Sequence, residues 1–299
     1  MQGVEAYTHS QEFVSNWKAL LCDVFGYRER DQFVIMRDYM CRAVYSYLPL
    51  LNYTDKTSEE MQSECKALGH RRYIARALNP EQDQFSEGDT VTMRLSLTGV
   101  ANAEALWDSR FSGKVRNQIR KSLKSNLRHV VSTDPRVVDD FYHLYTRRML
   151  RYGSPCLGRE IFDSISHYVD CRFYVVYHDA DAIAGLVLIR DGPLAWVPWA
   201  SSDHRHNDRC PNHFMYWHAI RDAWAMQCEL FDFGRSPYLR ETYRFKHQWG
   251  ARPVKLDILK AAREDTYSKY TLASQIWRRL PAALANRLGP VLCRHLPDL

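Results

Sequence analysis

Residues 231–250 read FDFGRSPYLRETYRFKHQWG. The apolar run from Phe231 to Phe233 predicts a strand, and Gly234 predicts a turn after it. Beyond the turn, Tyr243, Phe245, Lys246 and Trp249 fall close together in a segment that reads as a helix. A lysine enclosed by aromatic side chains just past a strand end is costly unless it has a partner or a task. Two readings follow. Either this is a strand, a turn and a capped helix whose aromatics are core, or Lys246 faces a cleft and works there.

The pattern D-F-G-R-S, a short gap, then Y-x-F-K-x-x-W-G resembles the C-terminal signature of the FemAB-like transferases, relatives of the GNAT acyltransferases. It is most similar to the branch encoded with exopolysaccharide and PEP-CTERM protein-sorting systems in Gram-negative bacteria. Three other stretches carry the same resemblance: K-x-R-N-x-I-R-K from Lys114, F-Y-x-L-Y followed by R-x-G-S-P from Phe141, and W-x-x-L-P from Trp277. The likeness covers roughly residues 90–299, and the first 90 match loosely. It implies an α/β (α+β) fold: two GNAT-like lobes with mixed, largely antiparallel sheets flanked by helices, plus a C-terminal amphipathic helical tail. The expected divisions are a small lobe over 1–100, the acyltransferase lobe over 101–260 and the tail over 261–299.

The same resemblance implies an N-acyltransferase that forms an amide by moving an aminoacyl or acyl group from an activated donor to an amine. The donor is aminoacyl-tRNA or acyl-CoA, acting as a co-substrate, with no bound cofactor and no metal. The acceptor is an amine in envelope polysaccharide, in a peptidoglycan precursor or in a peptide-like metabolite. Lys246 matches the lysine that stabilises the donor's carbonyl oxygen. Asp232 either accepts a proton or orients Arg235. Tyr243, Phe245, Trp249, Ser236, Tyr142 and Asn212 are the expected substrate contacts, and Lys114, Arg116, Asn117, Arg120 and Lys121 the expected donor-phosphate contacts. The alternatives are an acyl-CoA-dependent N-acetyltransferase of the same fold and a non-catalytic component of exopolysaccharide assembly.

Periodicity supplies the rest. Residues 11–26 predict a helix ending at Gly26, and QFVIMRD and RAVYSYLPLL, either side of Tyr39, Met40 and Cys41, predict paired strands. SEEMQSECKALGHR predicts a helix; RRYIARAL and TVTMRLSL predict strands. From Trp107 a basic helix is expected, with Arg116, Arg120, Lys124 and Arg128 as a cationic stripe opposite Val115, Ile119, Leu123 and Leu127. Such a stripe is either a solvated face or a phosphate-facing one. Asp134-Pro135 starts a helix that Gly153 ends, three strands follow with turns at 179–181 and 191–193, and Pro211 opens another helix. That order suits a GNAT-like lobe; periodicity alone says only α+β.

The chain has 299 residues, 45% hydrophobic, with a net charge of +6 and a pI near 8.8. This is a mild basic bias, compatible with phosphate-bearing partners. The eight cysteines show no C-x-x-C pair, and read as reduced they imply a cytosolic chain. The opening stretch MQGVEAYTHSQEF lacks the basic-then-apolar pattern of a signal peptide, and no apolar run reaches about 18 residues. The expected location is cytoplasmic, with peripheral contact at the inner membrane if the tail touches lipid. For the tail, 271–299, two arrangements stand: it packs on the body, or it lies at a membrane surface with Ile276, Trp277 and Leu280 inserted and Arg278, Arg279, Arg287 and Arg294 at head groups. His204, His206, Cys210 and His213 are zinc-binding types, but their spacing matches no strong zinc pattern. In the family this loop precedes the helix that faces the acyl donor. Here it contains no glycine, which makes a close backbone approach to a pyrophosphate harder. No nucleophile elbow or P-loop is present, as suits direct attack of an amine on an activated ester.

Overall fold

The computed structural model describes residues 7–30, 33–37, 43–46, 56–67, 69, 73–260 and 273–295. In chain order the elements are α1 (Gln11–Phe25), β1 (Arg28–Arg30), β2 (Phe33–Arg37), β3 (Ala43–Ser46), α2 (Ser58–Ala67), β4 (Tyr73–Asn79) and β5 (Thr90–Ser96). Then come α3 (Ala105–Ser109), α4 (Gly113–Leu123), β6 (Leu127–Ser132), α5 (Pro135–Tyr152), α6 (Arg159–Ser164), β7 (Asp170–His178), β8 (Asp181–Asp191) and β9 (Leu194–Ser202). The last are α7 (Pro211–Ala225), β10 (Leu230–Pro237), α8 (Glu241–His247), β11 (Arg252–Lys260) and α9 (Ala282–Cys293). The expected turn at Tyr39, Met40 and Cys41, the end of the second strand beyond Ser46, the end of the second helix beyond Gly69, and residues 261–272 and 296–299 of the tail lie outside the described residues.

The strands form one sheet in the order β1-β2-β3-β4-β11-β5-β10-β9-β8-β7-β6. Its junctions are antiparallel except β3–β4 and β10–β9, so the sheet is mixed and largely antiparallel, flanked by helices. Strand β5, from the first hundred residues, pairs with β11 on one side and β10 on the other, which makes the sheet continuous.

Alternation along the strands divides the core in two. Tyr174 and Val176 of β7, with Leu186 and Leu188 of β8, meet Val115 and Ile119 of α4 and Trp217 and Ile220 of α7. Phe173, Val175, Val187 and Ile189 point the other way, onto Phe13 and Trp17 of α1, Phe141 of α5 and Phe162 of α6. Period-2 side chains with helices on both faces explain why β8 is buried along nearly its whole length.

The basic helix is shorter than periodicity suggests. It ends at Leu123; Asn126 takes φ 54, a conformation asparagine tolerates, and LRHVVS continues as strand β6 against β7. Leu123 is therefore 49% exposed, and the buried seam of α4 is Val115, Ile119 and Ser122. Arg128 leaves the stripe and lies over the Tyr177 ring. Gly234 also differs from expectation: β10 runs on to Pro237, and the glycine makes a bulge within the strand.

The tail packs on the body. Ser274 Oγ and Arg278 both donate to the Tyr152 carbonyl, and Ala285, Gly289 and Cys293 of α9 are buried, with Gly289 set against Cys156. Among the described residues no helix is long and apolar enough to cross a membrane.

Candidate active site

Strands β9 and β10 are parallel neighbours, yet their ladder covers only Leu194–Trp196 against Leu230–Asp232. Both strands continue past that point, so the sheet forks. The bulge supplies the local cause: the register of β10 on β5 shifts between Asp232 and Arg235, and Gly234 has φ 77. A Cβ on Gly234 would stand 2.8 Å from the Val197 carbonyl oxygen, so the position needs glycine on both counts. The fork opens a cleft of about 470 Å³, with β9 and β10 as walls and α5 and α8 at its sides.

Lys246 of α8 lines this cleft and is only 8% exposed. Its Nζ donates to the carbonyls of Gly234 at 3.0 Å and Arg235 at 2.8 Å, the two groups that the bulge presents. Burial lowers its pKa to about 7; Asp232 opposes that shift, and the Arg235 and Arg148 charges add to it. An ammonium has three N–H donors, so one remains beyond the two carbonyl bonds. The chain thus holds a cation, or a neutral amine near neutrality, against polarised backbone at the base of a cleft.

Asp232 is elsewhere. It is fully buried, accepts from Thr92 Oγ1 at 2.5 Å, from Arg94 Nε at 3.0 Å and from the Gly234 amide at 2.7 Å, and does not line the cleft. The expectation that it takes a proton or orients Arg235 is corrected to a buried anchor between β10 and β5, one that also braces the bulge. Arg235 itself is exposed and lines the cleft.

Of the expected substrate contacts, Phe245 and Asn212 line the cleft. Tyr243 and Trp249 do not: Trp249 is fully buried between Phe111 and His213, and Tyr243 packs on Tyr238 and His247, so both are core. Ser236 is buried where β10 pairs with β5. Tyr142 sits behind the cleft wall, its hydroxyl donating to the Leu157 carbonyl, while Tyr145 three residues on reaches the cleft.

The expected phosphate contacts separate. Lys114 lines a second depression with Asn212, Cys210 and Arg244, and the Lys121 charge partly offsets the upward shift that burial gives the Cys210 thiol. Arg116 pairs with Asp108, Asn117 accepts from Arg120, and Arg120 lies over the Trp107 ring. A helix of 3.6 residues per turn cannot point all five one way.

Sequence reading passed over R-R-x-x-R at 147–151, whose signal was three arginines on the helix that ends at Gly153. Arg147, Arg148 and Arg151 line a basic depression that runs on from the cleft, sharing Arg148, Tyr152, Asn212 and Glu241 with it. Arg147 is held by Asp203 at 3.2 Å, and Arg148 lies over the Tyr152 ring. Glu241, in the first turn of α8, is the acidic member of the cleft lining. The first turn of α7 opens beside both. Cys210 precedes it at φ 56, so a residue other than glycine takes the left-handed conformation there. The histidines of the preceding loop disperse: His204 lies against Asp203, His206 faces His178, and His213 stacks on Trp249, where burial lowers its pKa to about 4.

Residues 109–247 match the family model of the acetyltransferase (GNAT) domain. No curated protein matches the chain. Among solved structures it is similar to FemX, at 13% identity and a TM-score of 0.59, over 90% of this chain and 99% of that one. It is also similar to the C-terminal DUF2156 domain of a protein assigned as a lysylphosphatidylglycerol synthetase of Agrobacterium fabrum, at 11% identity and a TM-score of 0.53, covering 88% and 95%. A third is L-PGS of Bacillus licheniformis, at 10% identity and a TM-score of 0.50, covering 89% and 97%. At such identities the likeness speaks to fold. Residues 109–247 thus match a GNAT acetyltransferase domain, and the chain as a whole shares the fold of FemX.

Proposed function

We propose that the protein is an N-acyltransferase that joins an aminoacyl group, carried as an ester on tRNA, to an amine acceptor in the cleft between β9 and β10. The observation that carries this reading is Lys246: a buried cation with a spare N–H at the cleft base, fixed by two backbone carbonyls. The ester carbonyl oxygen is set against that N–H. The acceptor nitrogen attacks the carbonyl carbon, the C–N bond forms, and negative charge gathers on the oxygen facing Lys246. The ester C–O bond then breaks; the ribose oxygen leaves and takes a proton, while the nitrogen loses one to Glu241 or to solvent. Phe245 and Tyr145 supply apolar wall, and Arg235 closes one side. Arg147, Arg148 and Arg151 hold the donor's phosphates in the adjoining depression.

Support for an aminoacyl donor over acyl-CoA comes from the glycine-free turn before α7 and from the basic depression beside the cleft. The name of the lysylphosphatidylglycerol synthetase neighbour also describes an aminoacylated product. The acceptor class remains the one read from the resemblance: an amine of an envelope polysaccharide or peptidoglycan precursor, or of a peptide-like metabolite.

The test is single-turnover transfer from a mixture of radiolabelled aminoacyl-tRNAs, and separately from labelled acetyl-CoA, to a panel of amino sugars and peptides, with mass spectrometry of the product. Amide formed from charged tRNA and absent in Lys246→Ala supports the proposal. Transfer from acetyl-CoA alone assigns the protein to CoA-dependent N-acetylation instead. Transfer from neither, by folded protein, returns the non-catalytic reading.

A further inference from the structure

Helix α9 is built inside out. Its small residues Ala285, Gly289 and Cys293, at i, i+4 and i+8, are the buried ones, and a Cβ on Gly289 would meet Cys156 Sγ at 2.8 Å. Its large apolar residues face outward: Leu284 is 42% exposed, Leu288 40%, Val291 58% and Leu292 39%, spaced i, i+4, i+7 and i+8 as one stripe. Ile276, in the helical turn at 273–277, is 58% exposed and adds to the same outward apolar character. A stripe at this spacing is one a globular body normally covers; the helix instead turns its narrow, small-residue side to the body.

Charge says what covers it. From Ala273 to His295 the sequence holds Arg278, Arg279, Arg287 and Arg294 and no acidic residue. A second copy would bring the same four arginines face to face, which is repulsive. An anionic lipid surface supplies the complement to both halves: acyl chains for the leucines and valine, phosphate for the guanidinium groups, whose long stems reach from the apolar layer to the head groups. We infer that α9 and the turn before it dock this protein on the surface of an anionic membrane, lying in its plane without crossing it.

The position has a consequence for the cleft. Ser274 and Arg278 bond the carbonyl of Tyr152, and the Tyr152 side chain lines both the cleft and the basic depression. A membrane held by the tail therefore lies next to the cleft mouth.

The experiment is flotation of the full chain with vesicles of phosphatidylcholine alone or mixed with phosphatidylglycerol, at low and high salt. The expected result is co-flotation with the mixed vesicles only, weakened by salt. Leu288→Asp with Val291→Asp removes two inserted side chains, so bound protein falls by about tenfold or more. Arg279→Gln with Arg287→Gln gives a smaller loss confined to low salt. These side chains are exposed, so circular dichroism and the melting midpoint stay unchanged and mark the variants as folded. Absence of flotation by the parent chain overturns the inference, as does flotation that both double variants leave intact. A salt-stable dimer in sedimentation that the Leu288→Asp, Val291→Asp variant dissolves, with no flotation, assigns the stripe to a second copy. None of these readouts depends on acyl transfer.

Discussion

Under the proposed function, one ionisation of Lys246 governs both activity and stability. Its pKa is about 7 in the folded chain, chiefly through burial, against an ordinary value of 10.5. If the charged form faces the oxyanion, kcat/KM declines as pH rises through about 7, and Lys246→Arg removes that decline because a guanidinium stays protonated. A base role gives the opposite limb, rising through the same pH. Lys246→Ala lowers kcat by roughly 100- to 1000-fold, the range for removing one oxyanion donor. The stability consequence has the reverse sign. A folded-state pKa below the unfolded one means that the unfolded chain binds more protons between about 7 and 10.5, so this group's cost to stability is full below 7 and fades as pH rises to 10.5. Lys246→Met is therefore expected to melt higher at pH 6, by at least about 2 kcal/mol, with the gain shrinking toward pH 10. Calorimetry across that window checks it. For Asp232 the expectation is structural. Asp232→Asn takes the carboxylate from buried Arg94 and costs about 3–5 kcal/mol, and adding Arg94→Met returns much of it, while loss of the charge that holds the Lys246 pKa up moves the pH limb of kcat/KM to lower pH. Chemical denaturation alongside the pH profile separates the two.

At the scale of elements, the bulge in β10 is the part on which the cleft depends. Gly234→Ala meets both a positive φ and the Val197 carbonyl, so it costs about 1–3 kcal/mol in stability. It also displaces the two carbonyls that hold Lys246, so the loss in kcat exceeds what the melting shift alone explains; kinetics and calorimetry on one preparation decide. Between helices, α5 and not α4 adjoins the cleft with its arginines. Arg148→Ala with Arg151→Ala is expected to weaken charged-tRNA binding and to reduce the slope of log affinity against log salt by about 1 to 2. Arg116→Ala with Arg120→Ala, whose partners are Asp108 and the Trp107 ring, leaves that slope nearly unchanged. Filter binding over a salt series measures both.

On the whole-molecule scale, α9 closes the surface over Cys156 and Tyr145, and Gly289 is the contact that lets it approach. Gly289→Leu is expected to lift α9 from the body. Cys156 and Cys293, buried in the parent, then react with a thiol reagent under native conditions, and the melting midpoint falls. Timed labelling with mass spectrometry locates the sites.

Much was legible in the sequence because it depends on neighbours in the chain. Alternating β-branched and aromatic runs specify β7 to β10, Pro135 and Pro211 open helices, Gly26 and Gly153 end them, and the spacing around Phe245 and Lys246 marks a special segment. Such signals are local: backbone preferences and side-chain period act within a few residues. The tertiary structure alone decided which groups meet. Asp232 and Lys246 both sit beside the fork, yet Asp232, on the strand, points to β5, while Lys246, on α8, reaches back to the carbonyls of the bulge and lines the cleft. Trp249 reads like a cleft wall and is core; Arg148 and Glu241, which no sequence motif singled out, line the opening. Burial depends on what packs opposite, over sequence distances that no local pattern encodes, so the site's chemistry waited on the sheet order that places β10 between β5 and β9.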